Sequence, residues 1–168
     1  MELELLKEND PKLLELSEDW NFRADGDPSE LIKEMAKVMF LHGGIGLSAV
    51  QCGVLKRILI MGNPEELIAC INPKIVALSE DREMSQEGCL SFPNLWLNVK
   101  RPSKVKVTYQ TVTGEEVEAE LDGLHARVFL HEFDHLMGVT FDQRVSNLGL
   151  QMAKERRKKK QKKFKAPV

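Results

Sequence analysis

The stretch His131-Glu132-Phe133-Asp134-His135 constrains this chain more than any other. On a helix, positions i and i+4 lie on one face about one turn apart. His131 and His135 therefore aim two imidazoles at one point. Glu132 follows the first of them and reaches a water held there. Two nitrogen ligands and a carboxylate base form the core of a hydrolytic metal site. The chain has four His, and two are spent here. Two His rarely complete such a site, so the fold must bring a third ligand to this helix from elsewhere.

Three candidates for that ligand stand in the sequence. One protease class places a third His six residues after the second His of HExxH, and here that position is Phe141. Another class uses a Glu on a later helix. Glu155 is twenty residues beyond His135, but it sits in Lys154-Glu155-Arg156-Arg157-Lys158. There it reads better as a solvated i,i+4 partner of Lys159. The third candidate is Cys89, flanked by Gly88 in a polar loop leading into apolar residues. A thiolate bound to a divalent metal is deprotonated outright.

Cys52, Cys70 and Cys89 make an odd count, and the acidic start Met-Glu-Leu-Glu-Leu-Leu-Lys resembles neither a signal nor a transit peptide. A disulfide framework is therefore not expected, and the protein reads as cytoplasmic. No apolar run is long enough to span a bilayer. The length, 168 residues, suits one domain over 1–168. The net charge of −2 conceals an asymmetry. Nine of the 24 Lys and Arg lie in 154–165, with Glu155 the one acid there, so the rest carries a net −10. A basic tail at 154–168 on an acidic body suits an anionic partner.

Residues 1–26 are acidic and irregular, with a short helix at Pro11–Leu16. Asp27-Pro28-Ser29-Glu30 opens a helix in a capping-box pattern. Leu31, Met35, Val38 and Met39 give it an apolar face, and Gly43-Gly44 stops it. Gly44-Ile45-Gly46-Leu47-Ser48-Ala49-Val50-Gln51 follows, where two glycines permit a turn or a close approach. Strands are expected at 55–61, 67–72, 74–79, 104–112 and 115–121, with Thr113-Gly114 turning a hairpin. Glu87 to Trp96 reads as loop. The main helix starts near Asp122-Gly123-Leu124 and ends at Gly138, and a last helix runs from Ser146 into the tail. Grouped strands with helices at the ends indicate an α+β fold.

Three blocks together resemble the peptide deformylases. Gly44–Gln51 resembles their first motif, Glu87-Gly88-Cys89-Leu90-Ser91 their second, and His131–Gly138 (HEFDHLMG) their third. They stand in the family's order at compatible separations, and the resemblance covers roughly residues 30–145. It implies antiparallel or mixed β-sheets wrapped around a central helix carrying HExxH, with a C-terminal helix. It implies metal ligation by Cys89, His131 and His135, with the fourth position left to water. The ion would be a single divalent one, usually Fe(II), with zinc, nickel or cobalt able to replace it. The implied reaction removes the N-formyl group from the initiator Met of nascent chains and releases formate. Glu132 would be general base and acid, and Gln51 with the Leu90 backbone N–H would donate to the oxyanion. Gly44 and Gly46, with Gly88 beside the ligand Cys, would border the substrate. Ile45, Trp96, Leu124, Val128 and the stem of Arg127 would line the methionine pocket, with Arg127 also placing a cation at its mouth. Asp134 and Arg101 would pair to orient a ligand His. The basic tail would contact ribosomal RNA; neither DNA nor a membrane is implied. Three departures stand out: Ser48 where the family usually has Ala, Leu130 where many have Gln, and Trp96 where bacterial relatives often have Arg.

Overall fold

The computed structural model describes residues 2–165, so residues 166–168 of the basic tail lie outside the described residues. Seven strands and three α-helices follow in the order α1 (Ser29–Leu41), β1 (Gly46–Ser48), β2 (Ile58–Gly62), β3 (Leu67–Leu78), β4 (Arg82–Cys89), β5 (Phe92–Pro102), β6 (Lys104–Gln110), β7 (Glu116–Asp122), α2 (Gly123–Leu136) and α3 (Asn147–Lys165). The strands form two antiparallel sheets. One has the order β1-β2-β3-β6-β7, and the other is the hairpin β4-β5.

Alternation along β2 explains the layering. Ile58 and Ile60 pack with α1 through Leu31, Met35 and Met39. Leu59 and Met61 pack on the other face with Phe129, Leu130 and Leu136 of α2. Successive side chains of a strand point to opposite faces, so β2 is buried on both sides, between the two helices. A third cluster joins Leu95, Leu97 and Val99 of β5 to Leu13, Phe141 and Ala153, which fastens α3 to the hairpin. The central helix is thus held by β1, β2, β6 and β7 on one side and by β5 on the other.

The helix boundaries follow their local signals. Asp27 Oδ1 accepts from the Ser29 backbone N–H at 2.9 Å and from its hydroxyl at 2.7 Å. The expected capping box does not form among the described residues, because Asp27 bonds Ser29 rather than the Glu30 N–H and Pro28 takes the cap position. At the end of α2, Gly138 has φ +73. Gly138 N–H donates to His135 O and Val139 N–H to Asp134 O, the Schellman arrangement. A Cβ on Gly138 would also meet the Leu14 carbonyl oxygen at 2.6 Å.

Several expectations need correction. The short helix at 11–16 is a 3₁₀ turn, Pro11–Leu14. The strand expected from 55 begins at Ile58, and the two at 67–72 and 74–79 are one strand, β3. β3 is interrupted by a register shift between Ile71 and Lys74. Pro73 has no N–H for the ladder, and Asn72 takes φ +52, so the chain bulges there without ending. Asn72 is held in place by Trp20 N–H, by Trp20 O and by Gln110 Oε1. The region from Glu87 to Trp96, read as loop, belongs largely to β4 and β5. β4 is polar and mostly exposed, so it carries no apolar alternation to reveal it.

Candidate active site

Both histidines of the pentapeptide lie on the buried face of α2, with ring centroids 5.2 Å apart. Cys89 ends β4, at the turn of the hairpin. Its Sγ lies 3.4 Å from His135 Nε2. Donor atoms of Cys89, His131 and His135 all lie within 4.8 Å of one another, and these three are the cluster of metal-ligand type among the described residues. Glu155 is exposed on α3 and takes no part in it. Phe141, in place of a third His, packs its ring edge against His131 at 5.5 Å. His135 Nδ1 is buried without a hydrogen-bond partner among the described residues. A thiolate and two imidazoles converging at this distance fit a divalent ion of borderline softness.

The orientation of His131 comes from Glu87. Its carboxylate accepts from His131 Nδ1 at 2.9 Å. Arg101 grips the same carboxylate at both oxygens, at 2.6 and 3.0 Å, and Arg127 adds a bond of 2.6 Å. Burial works to raise the Glu87 pKa, but the bonds from His131 and Arg101 outweigh it and hold it at about 2. Glu87 is therefore a fixed anion among cations. The expected pair exists, with Arg101 Nη1 2.9 Å from Asp134 Oδ2. The carboxylate on the histidine, however, is Glu87. Asp134 is the far anchor of Arg101 and is held also by Arg144. Arg127 bonds Glu87, Val99 O and Glu83 O, so it braces the hairpin from the cavity wall. Sequence reading assigned Glu87 no role. Its place beside Gly88-Cys89 was the available signal.

Glu132 is buried, with Oε2 unpartnered among the described residues and Oε1 3.9 Å from His131 Nε2. Burial pushes its pKa up to about 7, with His131 opposing and Glu87 adding. Desolvation of the charged form is the dominant cause. Burial depresses His135 as well, assisted by His131 and Arg101.

Gln51 sits on a 3₁₀ turn, Ala49–Cys52, directly after β1. Its Oε1 accepts from the Ser48 N–H at 3.0 Å and the Ser48 hydroxyl at 3.1 Å. The amide nitrogen is left facing Ser91 Oγ at 3.2 Å and Cys89 Sγ at 3.6 Å.

A cavity of about 590 Å³ opens beside the cluster. Gly44, Ile45, Gly46, Gly88, Cys89, Leu90, Trp96, Leu124, Arg127, Val128, His131 and Glu132 all stand on its wall. His42, Phe92 and Leu95 line it too and were not anticipated. The three glycines share one reason. A Cβ would lie 2.5 Å from Leu90 Cδ1 at Gly44, 2.7 Å from Val128 Cγ1 at Gly46, and 2.6 Å from the Trp96 ring at Gly88. The backbone is bare where side chains of the cavity press on it.

A helix-borne HExxH, a facing cysteine and a buried carboxylate beside an apolar cavity define the class: a metal-dependent hydrolase. Comparison with known proteins names the family. The polypeptide deformylase family model matches residues 2–151. A peptide deformylase of Thermotoga maritima is 42% identical over 122 residues, covering 73% of this chain and 74% of its own. The crystal structure of the Synechococcus elongatus enzyme with actinonin matches with a TM-score of 0.86 at 37% identity, covering 93% of this chain and 86% of that one. A plant peptide deformylase matches with a TM-score of 0.87 at 35% identity, over 96% and 90% of the two chains. The chain belongs to the peptide deformylase family.

Proposed function

We propose that this chain removes the N-formyl group from the initiator methionine of newly made polypeptides, with one divalent metal ion held by Cys89, His131 and His135. The observation that carries the reading is the convergence of these three donors beside buried Glu132. The ion is Fe(II) by preference, with zinc, nickel or cobalt able to take its place; thiolate and imidazole suit all four. When bound, the ion supplies Lewis-acid chemistry, lowering the pKa of water and polarising the formyl oxygen.

The chain's own groups do the rest. Glu132 Oε2 takes the proton from the attacking water and later hands it to the departing amine. A carboxyl that titrates near neutrality can do both. The oxyanion that develops on the formyl oxygen is met by the Gln51 amide N–H and the Leu90 backbone N–H. Among the described residues the outer edge of β1 has no strand neighbour, and Gly44 and Gly46 leave it bare beside the cavity. A peptide backbone can pair there as an added strand. The methionine side chain then enters among Ile45, Leu124, Val128 and Trp96.

α3 extends the reading to a partner. Ala153 and Leu150 pack it against the β5 cluster, and Arg157 pairs with Glu8 at 2.7 Å. Lys154, Arg156, Lys158, Lys159, Lys160 and Lys162 remain exposed. This face suits ribosomal RNA, where nascent chains emerge. No helix among the described residues is long and apolar enough to cross a membrane.

The deciding experiment measures formate released from a formyl-Met tripeptide by protein reconstituted anaerobically with Fe(II) or Ni(II). Stoichiometric release with repeated turnover is expected, together with loss of metal and activity in Cys89→Ser. No release under these conditions overturns the reading.

A further inference from the structure

The geometry points to the Ser48 hydroxyl as a positioning group that fixes which end of the Gln51 side chain faces the reaction. Ser48 is wholly buried, and so are Leu47, Ala49 and Val50 on either side. A hydroxyl in such a place needs a partner. It donates to Gln51 Oε1 at 3.1 Å and accepts from the Gln51 backbone N–H, which closes a capping box on the turn. The Ser48 backbone N–H reaches the same oxygen at 3.0 Å.

A glutamine amide presents a carbonyl at one end and two donors at the other, and the terminal torsion that exchanges them is soft. With one anchor, the carbonyl can swing away and still be satisfied elsewhere. With two donors on one oxygen, the carbonyl stays at the Ser48 end. The NH₂ is then turned to Ser91 Oγ and the Cys89 sulfur. The reversed amide would set its oxygen against the thiolate and, during the reaction, against the oxyanion. Ser48 touches neither the substrate cavity nor a metal donor. It acts through Gln51 alone. In Ser48→Ala the backbone N–H remains to anchor the same oxygen.

The kinetic part of this inference rests on Gln51 being an oxyanion donor, as proposed above. In Ser48→Ala, kcat for formate release should fall roughly three- to tenfold, the worth of one net hydrogen bond, with KM unchanged. In a Gln51→Ala background the same substitution should have no further effect. A separate measurement does not depend on activity. In ¹⁵N-labelled, zinc-loaded protein the Gln51 side-chain amide should give one sharp pair of proton signals, and Ser48→Ala should broaden or shift them. The inference is overturned by an unchanged kcat, by an equal loss in the Gln51→Ala background, or by a Gln51 amide already averaged in the unmodified chain. Failure of the unmodified chain to release formate overturns the deformylase reading instead, and the amide signals still decide the role of Ser48.

Discussion

Glu87 Oε1 lies 2.9 Å from Nδ1 of His131, and it joins a hairpin strand to the helix that carries the metal-type motif. The bond leaves the other nitrogen, Nε2, turned to the cluster. Because Glu87 is held as an anion by Arg101 and Arg127, the proton stays on Nδ1 and the tautomer is set.

Glu87→Gln keeps the shape of the side chain and removes its charge. Metal affinity should drop by about 10- to 100-fold. Competition against a chromophoric chelator checks this, and an unchanged affinity would show that Glu87 serves only the hairpin.

Glu132→Gln should separate binding from chemistry. Metal content should remain at one ion per chain, while turnover falls by about 10²- to 10⁴-fold. A variant that loses its metal would mean that Glu132 holds the cluster together rather than moving protons.

Gly46→Ala tests the close approach of β1 to α2. The added Cβ meets Val128 Cγ1 at 2.7 Å and Glu132 Oε1 at 3.0 Å. Displacing Glu132 by a fraction of an ångström should lower kcat by between about tenfold and a hundredfold. Overpacking should lower stability by about 1–3 kcal/mol. Formate release and chemical denaturation measure the two effects, and wild-type turnover in this variant would refute the contact.

Burial pushes the thiols of Cys52 and Cys70 up to about 12. At pH 8 only about one in ten thousand of each is a thiolate. Iodoacetamide should leave both unmodified in the native protein and label both after unfolding in guanidinium. Mass spectrometry reads the result, and native labelling of Cys70 would show that the sheet opens around it.

Deleting residues 154–168 should reduce co-sedimentation with ribosomes at low salt. In the full chain, the association should weaken steeply as salt is raised. The remaining body, at net −10, offers no attraction of its own to a polyanion. Co-sedimentation unchanged by the deletion would dispose of the RNA contact.

The elements legible in advance are those whose signals are local. α1 shows its apolar face at helical spacing and its stop at Gly43, with φ +69. β6 and β7 alternate, and their turn at Thr113-Gly114 closes with Gly114 N–H on Thr111 O. β4 could not be read this way. Its partner is β5, and seven of its eight residues, Glu87 apart, are not buried, so its extended form depends on pairing rather than on its own pattern. Phe92, Leu95, Leu97 and Val99 of β5 are buried, but Pro93 and Asn94, with φ +62, disguise the start of that strand.

The same division runs through the site. The sequence alone determined that His131 and His135 share a helical face with Glu132 between them, because 3.6 residues per turn makes that spacing geometric. It also determined the acidic body and the basic last helix. Only the tertiary structure decided which carboxylate holds His131. One glutamate looks like another until Arg101, Arg127 and His131, from two separate elements, are packed around it away from water. It likewise decided that Arg127 is a brace and that Gln51 is held from Ser48 on one side and turned to Cys89 on the other. Helical spacing acts over a few residues, whereas burial and the pairing of charges depend on segments that meet only when the chain is folded.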